Sequence, residues 1–277
     1  MVQKFNKRGS DLMVSYSNIN EYLHTEFIGR YMEYHESIPS TNNRAKEIAY
    51  IKEEGTIILS EEQTQGKGRL SRQWVSPRGK GLWFSVILKP SLEPDKAYKI
   101  TLIGAAAVNE ALKDMGIKSY IKWPNDIIVE DKKVCGILTE MSCERNRVNY
   151  VIMGIGINVN LDEEDFDDEL RKKATSLKIV AGEDIDRSRL LAYVLNYIER
   201  FYKPFKEKGI LDEVIRICKR ESILLGKEVR IIKGDTQKLG KVVNMDSEGQ
   251  LLVQYENGQM EKVFSGEVSI RGMEGYI

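Results

Sequence analysis

The chain has 277 residues, with 42 Lys+Arg balanced by 42 Asp+Glu and only two histidines. A net charge of zero offers no bulk attraction to nucleic acid or an anionic membrane, and two histidines argue against a histidine-rich metal centre. No apolar run approaches the ~18 residues of a membrane span.

The first 29 residues are short, polar and weakly patterned, with no hydrophobic signal core. From Arg30 to about Glu221 strand-like and helix-like segments alternate. Ser40 or Thr41 caps a helix running towards Lys52. Strands are expected over 56–61 and 82–88, and between them lies Gly66-Lys67-Gly68-Arg69-Leu70-Ser71-Arg72-Gln73-Trp74-Val75-Ser76-Pro77. Gly66 and Gly68 let backbone amides approach an anion, while Lys67, Arg69 and Arg72 supply cations. Arginine meets phosphate or carboxylate oxygens with paired hydrogen bonds. Alone, such a run is ordinarily a solvated turn; with the segments that follow, it reads as a loop that grips an anionic ligand and closes over it.

A helix over 95–115 is expected from the stripe Ile100, Ile103, Ala107, Ala111 and Met115. Lys122-Trp123-Pro124-Asn125-Asp126 then reads as strand and tight connection, because Pro124 restricts Trp123 and Asn125 and Asp126 are turn formers carrying oxygen ligands. Glu130-Asp131-Lys132-Lys133 forms a hairpin tip, and Lys133 opens the apolar run Val134–Leu138 that contains Gly136. Cys135 and Cys143 are read as inert packing residues in or near this strand. With Cys218 they show no CxxC spacing, which suits a reducing cytoplasm better than a disulfide framework. The run Val151–Asn160 carries Gly154, Gly156 and Asn158, and reads as a central strand approached by a ligand. It has neither GxGxxG nor GxxxxGK[ST] spacing. The acidic stretch from Asp162 to Glu169 is interrupted by Phe166 and followed by Arg171-Lys172-Lys173, so it is read as a solvated loop and helix start. Leu190, Val194, Ile198 and Phe201 mark another helix. From Ile223 the period shortens to that of strands, with Val229/Ile231, Leu251/Val253/Tyr255 and an Asn257-Gly258 hairpin turn. Five short strands in some fifty residues suggest a small barrel.

These segments, taken in order with Ser40-Thr41-Asn42 and Gly266–Arg271, resemble biotin–protein ligase over roughly Ile28 to Arg271. The loop departs from the family in having Lys67 where arginine is common, and Leu70 and Ser71 in place of an arginine and a glycine. The resemblance implies an α+β fold: a mixed β-sheet flanked by helices, like a class II synthetase catalytic domain, and a small SH3-like C-terminal β-barrel. It divides the chain into a short segment (1–29), a biotin- and ATP-binding domain (30–221) and the barrel domain (222–277). It implies ATP, magnesium and biotin as reactants and ion, with biotinyl-AMP formed first and a lysine of biotin carboxyl carrier protein acylated second. Neither step needs a protein nucleophile.

The resemblance also distributes roles. Ser40, Thr41, Asn42 and Gln63 contact biotin, with Gly66, Lys67 and Gly68 bringing loop backbone to it and Gly136, Gly154 and Gly156 keeping the pocket floor open. Lys133 bridges biotin carboxylate and α-phosphate. Arg69 and Arg72 hold the phosphates, Trp74 packs near adenine, Asn158 lies by the nucleotide and Arg271 reaches in from the small domain. Asp126 either holds magnesium or orients the incoming lysine. Three other readings stay open: a lipoate–protein ligase-like acyltransferase, a biotin-sensing repressor and a ligand-binding protein without turnover, the last opposed by Lys133, Asp126, Arg69 and Arg72 occurring together. Against the second, only some thirty residues precede the strand near Tyr31, where a winged DNA-binding domain needs about sixty. DNA and membrane partners are therefore not expected, the location is cytoplasmic, and a homodimer is left open.

Overall fold

A computed structural model of the chain describes residues 14–265 and 268–272. The larger sheet has seven strands: β1 (Met32–His35), β2 (Ile57–Ser60), β3 (Leu82–Leu88), β4 (Tyr120–Lys122), β5 (Asp126–Val129), β6 (Lys132–Glu144) and β7 (Arg147–Ile157). Their order is β1-β2-β3-β7-β6-β5-β4. Only β1 and β2 run parallel; the other neighbours are antiparallel. The helices are α1 (Tyr16–Tyr22), α2 (Thr41–Ile48), α3 (Tyr98–Asp114), the short α4 (Asp168–Arg171) and α5 (Leu177–Ala181), α6 (Arg187–Lys208) and α7 (Asp212–Arg220).

The two faces of the sheet differ in what covers them. Leu82, Phe84, Val86 and Leu88 alternate into the main core, which also holds the apolar stripe of α3 and the inner face of α6. On the other face Ile58, Ile87 and Ile152 pack beneath Ala45 and Ile48 of α2. That helix has eight residues, about 12 Å of axis; it packs chiefly on β2, β3 and β7, and Asn42 and Lys46 reach Leu138 and Glu140 of β6. The neighbouring part of this face, over β5, the start of β6 and the end of β7, lies beyond the helix axis, and a cleft forms there against the start of α2.

Several expectations are refined. Ser40 is the helix cap, but α2 stops at Ile48 rather than running to Lys52. The helix expected over 95–115 begins as a 3-10 turn at Pro94–Lys96 before α3 proper. The strand expected over 82–88 is β3. Cys143 is exposed, not packed: it lies on β6 past the covered part of the strand, whereas Cys135 and Cys218 are buried. Residues 14–29, read as weakly patterned, contribute Ile19, Leu23 and Ile28 to the main core. The Glu199 carboxylate of α6 accepts hydrogen bonds from the amides of Phe27 and Ile28 at 2.9 and 2.8 Å. A short helix with few apolar residues gives little periodicity even when each of them is buried.

The C-terminal strands β8 (Glu228–Lys233), β9 (Thr236–Met245), β10 (Leu251–Gln254), β11 (Met260–Val263) and β12 (Val268–Gly272) form an antiparallel sheet of order β11-β10-β9-β8-β12. It is SH3-like, but among the described residues it does not close into a barrel. Its β9–β10 turn docks on the larger α+β unit. The Trp123 indole donates to the Gly249 carbonyl at 2.8 Å, the Tyr98 hydroxyl donates to the Glu248 carbonyl at 2.8 Å, and Lys99 pairs with the Glu248 carboxylate at 2.5 Å.

Candidate active site

Glycine registers create the cleft. Gly136 and Gly156 are cross-strand partners on β6 and β7, and Gly154 faces Leu138 two residues further along. A Cβ on Gly156 would lie 2.6 Å from Trp74 Nε1, one on Gly136 2.9 Å from Trp74 Cζ3, and one on Gly154 2.0 Å from Asn42 Oδ1. The floor was expected to stand open above these glycines. Instead, Trp74 and Asn42 occupy the space that their missing side chains leave.

At one end of the cleft Ser40, Thr41, Asn42, Gln63 and Ser85 are neutral and already hydrogen-bonded, with one carboxylate, Glu140, behind them. Ser40 caps α2. Gln63 Oε1 accepts from the Thr41 amide and hydroxyl at 2.9 and 3.1 Å, and its Nε2 donates to Ser76 Oγ at 3.1 Å. Buried Ser85 donates to Asn42 Oδ1 at 2.6 Å, and Asn42 Nδ2 donates to Glu140 Oε2 at 2.8 Å and to the Leu138 carbonyl at 3.3 Å. Burial raises the Glu140 carboxyl, but hydrogen bonds from Lys46 and Asn42 outweigh it and hold the group below the usual carboxylate range. Neither Ser85 nor Glu140 was singled out from sequence. Ser85 did leave a signal: it is the one hydroxyl in the otherwise apolar strand Leu82–Leu88.

The other end is charged. Lys133 Nζ lies 2.6 Å from Asp126 Oδ1 and 5.1 Å from the centre of the Trp74 ring. Asp126 does not line the cavity; it acts there through Lys133 and through Asn125, whose Nδ2 donates to the same Oδ1 at 2.9 Å. Arg69 donates to Asn125 Oδ1 at 2.8 Å and to the Val268 carbonyl of β12 at 3.3 Å, so the glycine-basic loop is tied to both domains. Lys122 of β4 is 4% exposed. Burial drives its ammonium pKa down to about 8, with Asp126 opposing the shift and Lys133, Arg271 and Arg72 adding repulsion. Trp74 Nε1 is buried without a hydrogen-bond partner among the described residues.

The structure thus gathers Ser40, Thr41, Asn42, Gln63, Lys67, Gly68, Arg69, Trp74, Lys133, Gly136, Gly154 and Gly156 around one cavity of about 40 Å³. Lys67 reaches back to Asn43 Oδ1 at 3.2 Å. Gly66 lies outside the lining, and its carbonyl accepts the Trp74 amide at 2.9 Å. Arg72 and Arg271 are exposed and lie outside the lining too. Asn158, expected beside the nucleotide, is buried, and its amide donates to the Thr175 carbonyl at 3.1 Å. Asn125, read as a turn former carrying an oxygen ligand, connects Arg69 to Asp126.

The cleft thus combines a glycine floor on a mixed sheet, a lysine–aspartate pair and basic residues of the loop. Residues 34–158 match the biotin/lipoate A/B protein ligase family and residues 224–271 match the biotin protein ligase C-terminal domain. The chain is 38% identical over 259 residues to the bifunctional ligase/repressor BirA of Bacillus subtilis, covering 93% of this chain and 79% of that protein. It is 25% identical to the biotin–[acetyl-CoA-carboxylase] ligase of Mycobacterium tuberculosis, over 78% of this chain and 79% of the relative. Among solved structures, the biotin protein ligase from Aquifex aeolicus in complex with biotin and ATP superposes with a TM-score of 0.76 at 34% identity, covering 88% of this chain and 99% of that one. The chain belongs to the biotin–protein ligase family.

Proposed function

We propose that this protein condenses biotin with ATP to biotinyl-AMP and pyrophosphate, and then transfers biotin to a lysine of a biotin carboxyl carrier protein. The observation that carries the reading is the Lys133–Asp126 pair at 2.6 Å, set beside the glycine floor between a neutral and a charged end. The neutral network around Thr41, Asn42, Gln63 and Ser85 suits a polar ureido group, and an apolar acyl chain would leave it unmatched. Lys133 lies between the ends, where its ammonium reduces repulsion between carboxylate and α-phosphate and stabilises charge building on phosphorus. Arg69 engages the adenylate once the ligand competes with Asn125 and the Val268 carbonyl. A cavity of about 40 Å³ is far below the ~300–1,000 Å³ typical of small-molecule sites. Trp74 and the loop therefore shift to admit the ligands and close again, shielding an anhydride that water would hydrolyse.

No cluster of three His, Cys, Asp or Glu among the described residues could hold a metal by itself. A single carboxylate nonetheless fits magnesium, which is usually bound through one or two carboxylates plus substrate phosphates. Asp126 would be that carboxylate, and the ion would neutralise phosphate charge. Incubation with biotin and α-labelled ATP tests the reading. Biotinyl-AMP is the expected product; adenylation of lipoate or octanoate in preference to biotin would overturn it.

A further inference from the structure

The glycine-basic loop leaves the sheet after β2, which ends at Ser60, and rejoins it at Leu82, where β3 begins. Main-chain hydrogen bonds close it from the base upward. The Gly79 amide donates to the Glu61 carbonyl at 3.1 Å, the Gln63 amide to the Ser76 carbonyl at 3.2 Å, the Trp74 amide to the Gly66 carbonyl at 2.9 Å and the Gly68 amide to the Arg72 carbonyl at 2.7 Å. The excursion is a braced arm rather than a slack loop, so its direction is set where it joins the sheet. Gln63, Arg69 and Trp74 lie on this arm and line the cavity.

At that junction lies an ion pair that takes no part in the cleft. Arg187 Nη1 lies 2.8 Å from Glu61 Oε2, and each side chain is 3% exposed. The same nitrogen donates to the Gly81 carbonyl at 3.0 Å. One guanidinium thus bonds both limbs of the arm, the outgoing one through Glu61 and the returning one through Gly81. The other Glu61 carboxylate oxygen accepts the Val14 amide at 3.4 Å. Neither Glu61 nor Arg187 lines the cavity. Arg187 is the first residue of α6, where the helix dipole disfavours a cation, and arginine is seldom fully buried unless paired. The needs of the helix do not account for a buried cation there. Stability accounts for it poorly too, since apolar residues of similar volume often serve as well as a buried ion pair. What apolar residues lack is direction: only the charged pair holds a carboxylate and a carbonyl at fixed angles.

We propose that Arg187 is a positioning residue that sets the course of the glycine-basic arm over the cleft and thereby governs retention of the adenylate. The inference rests on the function proposed above. Lys133 stands on β6, outside the arm, so the step that depends on its ammonium persists when the junction is loosened. Arg69 and Trp74 ride on the arm, so the cover over the finished biotinyl-AMP does not.

The experiment uses the full chain. The parent protein is first shown to form biotinyl-AMP; failure at that point falls on the proposed function. Complexes holding labelled biotinyl-AMP are then chased with unlabelled biotinyl-AMP, and single-turnover adenylation is timed alongside. Combining Glu61→Leu with Arg187→Leu removes both charges, so no buried charge is left unpaired. This double variant should release the adenylate about tenfold faster, the worth of a hydrogen bond to a charged group, while adenylating at close to the parental rate. Adding Arg69→Gly should hasten release no further, because both changes act through the arm. Leu191→Ala, on the same helix and buried in the main core, controls for general loosening: it should lower the melting temperature without hastening release. Parental release from the double variant, an additive effect of Arg69→Gly, or equal hastening by Leu191→Ala would overturn the proposal. If the double variant does not fold, Arg187→Lys keeps the charge but lacks the planar fork. It must show the same selective release, and parental release from it again overturns the proposal.

Discussion

The two ends of the cleft are stabilised in opposite ways. Around Thr41, Asn42, Gln63 and Ser85 the side chains are neutral and already paired, with one another, with Ser76 and with the Glu140 carboxylate behind them. Around Lys133, Asp126, Arg69 and Lys122 the groups are charged, and their contacts are ones that an incoming phosphate can exchange. A preformed neutral network recognises shape and hydrogen-bond pattern at little ordering cost. The charged cluster carries repulsion that the ligand relieves, so it contributes most when charge moves. The first end should therefore govern affinity for biotin and the second the rate of adenylation.

The largest expected effect lies at the charged end. Lys133→Ala should cut single-turnover adenylation about a hundredfold, the usual cost of one fixed charge-stabilising contact, while biotin affinity changes much less. An equal loss in both would erase the distinction between the ends. At the neutral end, Gly154→Ala drives a Cβ to 2.0 Å from Asn42 Oδ1. Asn42 is held by Ser85 and Glu140 and cannot retreat, so biotin binding should fall steeply and stability should drop by about 1–3 kcal/mol, as calorimetry and thermal melts would show. Arg69→Gly removes the tie from the loop to Asn125 and Val268. It should leave adenylation largely intact but release biotinyl-AMP, seen as biotin on an unrelated lysine-rich protein. Smaller again, Glu140→Ala frees the Asn42 amide and should weaken biotin about tenfold, the worth of one hydrogen bond to a charged group.

The same carboxylate gives a pH signature. Burial raises the folded Glu140 carboxyl, but hydrogen bonds from Lys46 and Asn42 hold it below the usual carboxylate range, so its contribution to stability is complete above the ordinary carboxylate pKa and is lost as pH falls through the folded value. Glu140→Gln should flatten this part of the acid limb in urea titrations, since glutamine does not titrate there. An unchanged limb would remove Glu140 from the account.

Much of this organisation was legible in the sequence, for identifiable reasons. Strand β3 was readable because its run is apolar on both faces, and Lys133 because a charge opens a buried strand. The turn at Asn257-Gly258 follows from local chemistry, with Gly258 at φ +78°. Position in the third dimension was not legible. That Trp74 lies on Gly136 and Gly156 depends on the path of the loop, and that Asn158 turns towards Thr175 depends on the segment leading to α5. The sequence suggested an open glycine floor because it shows the missing Cβ atoms but not the side chains that take their place. Glu140 gave no signal at all. One more glutamate in a strand is ordinary until α2 places Asn42 and Lys46 against it.

The ties from the catalytic domain to the small one end repeatedly on main-chain carbonyls: Trp123 on Gly249, Tyr98 on Glu248 and Arg69 on Val268. Every residue has a carbonyl, so a side-chain substitution at Glu248 or Val268 leaves its carbonyl tie in place while the backbone keeps its course; Gly249 is the exception, since it lies at φ +83° and a Cβ there would meet Leu102 at 2.3 Å. In evolutionary terms the small domain can drift in sequence around Gly249 yet keep its hold on Tyr98 and Arg69, whereas an insertion or deletion in the β9–β10 turn or a register slip in β12 would break that hold at once.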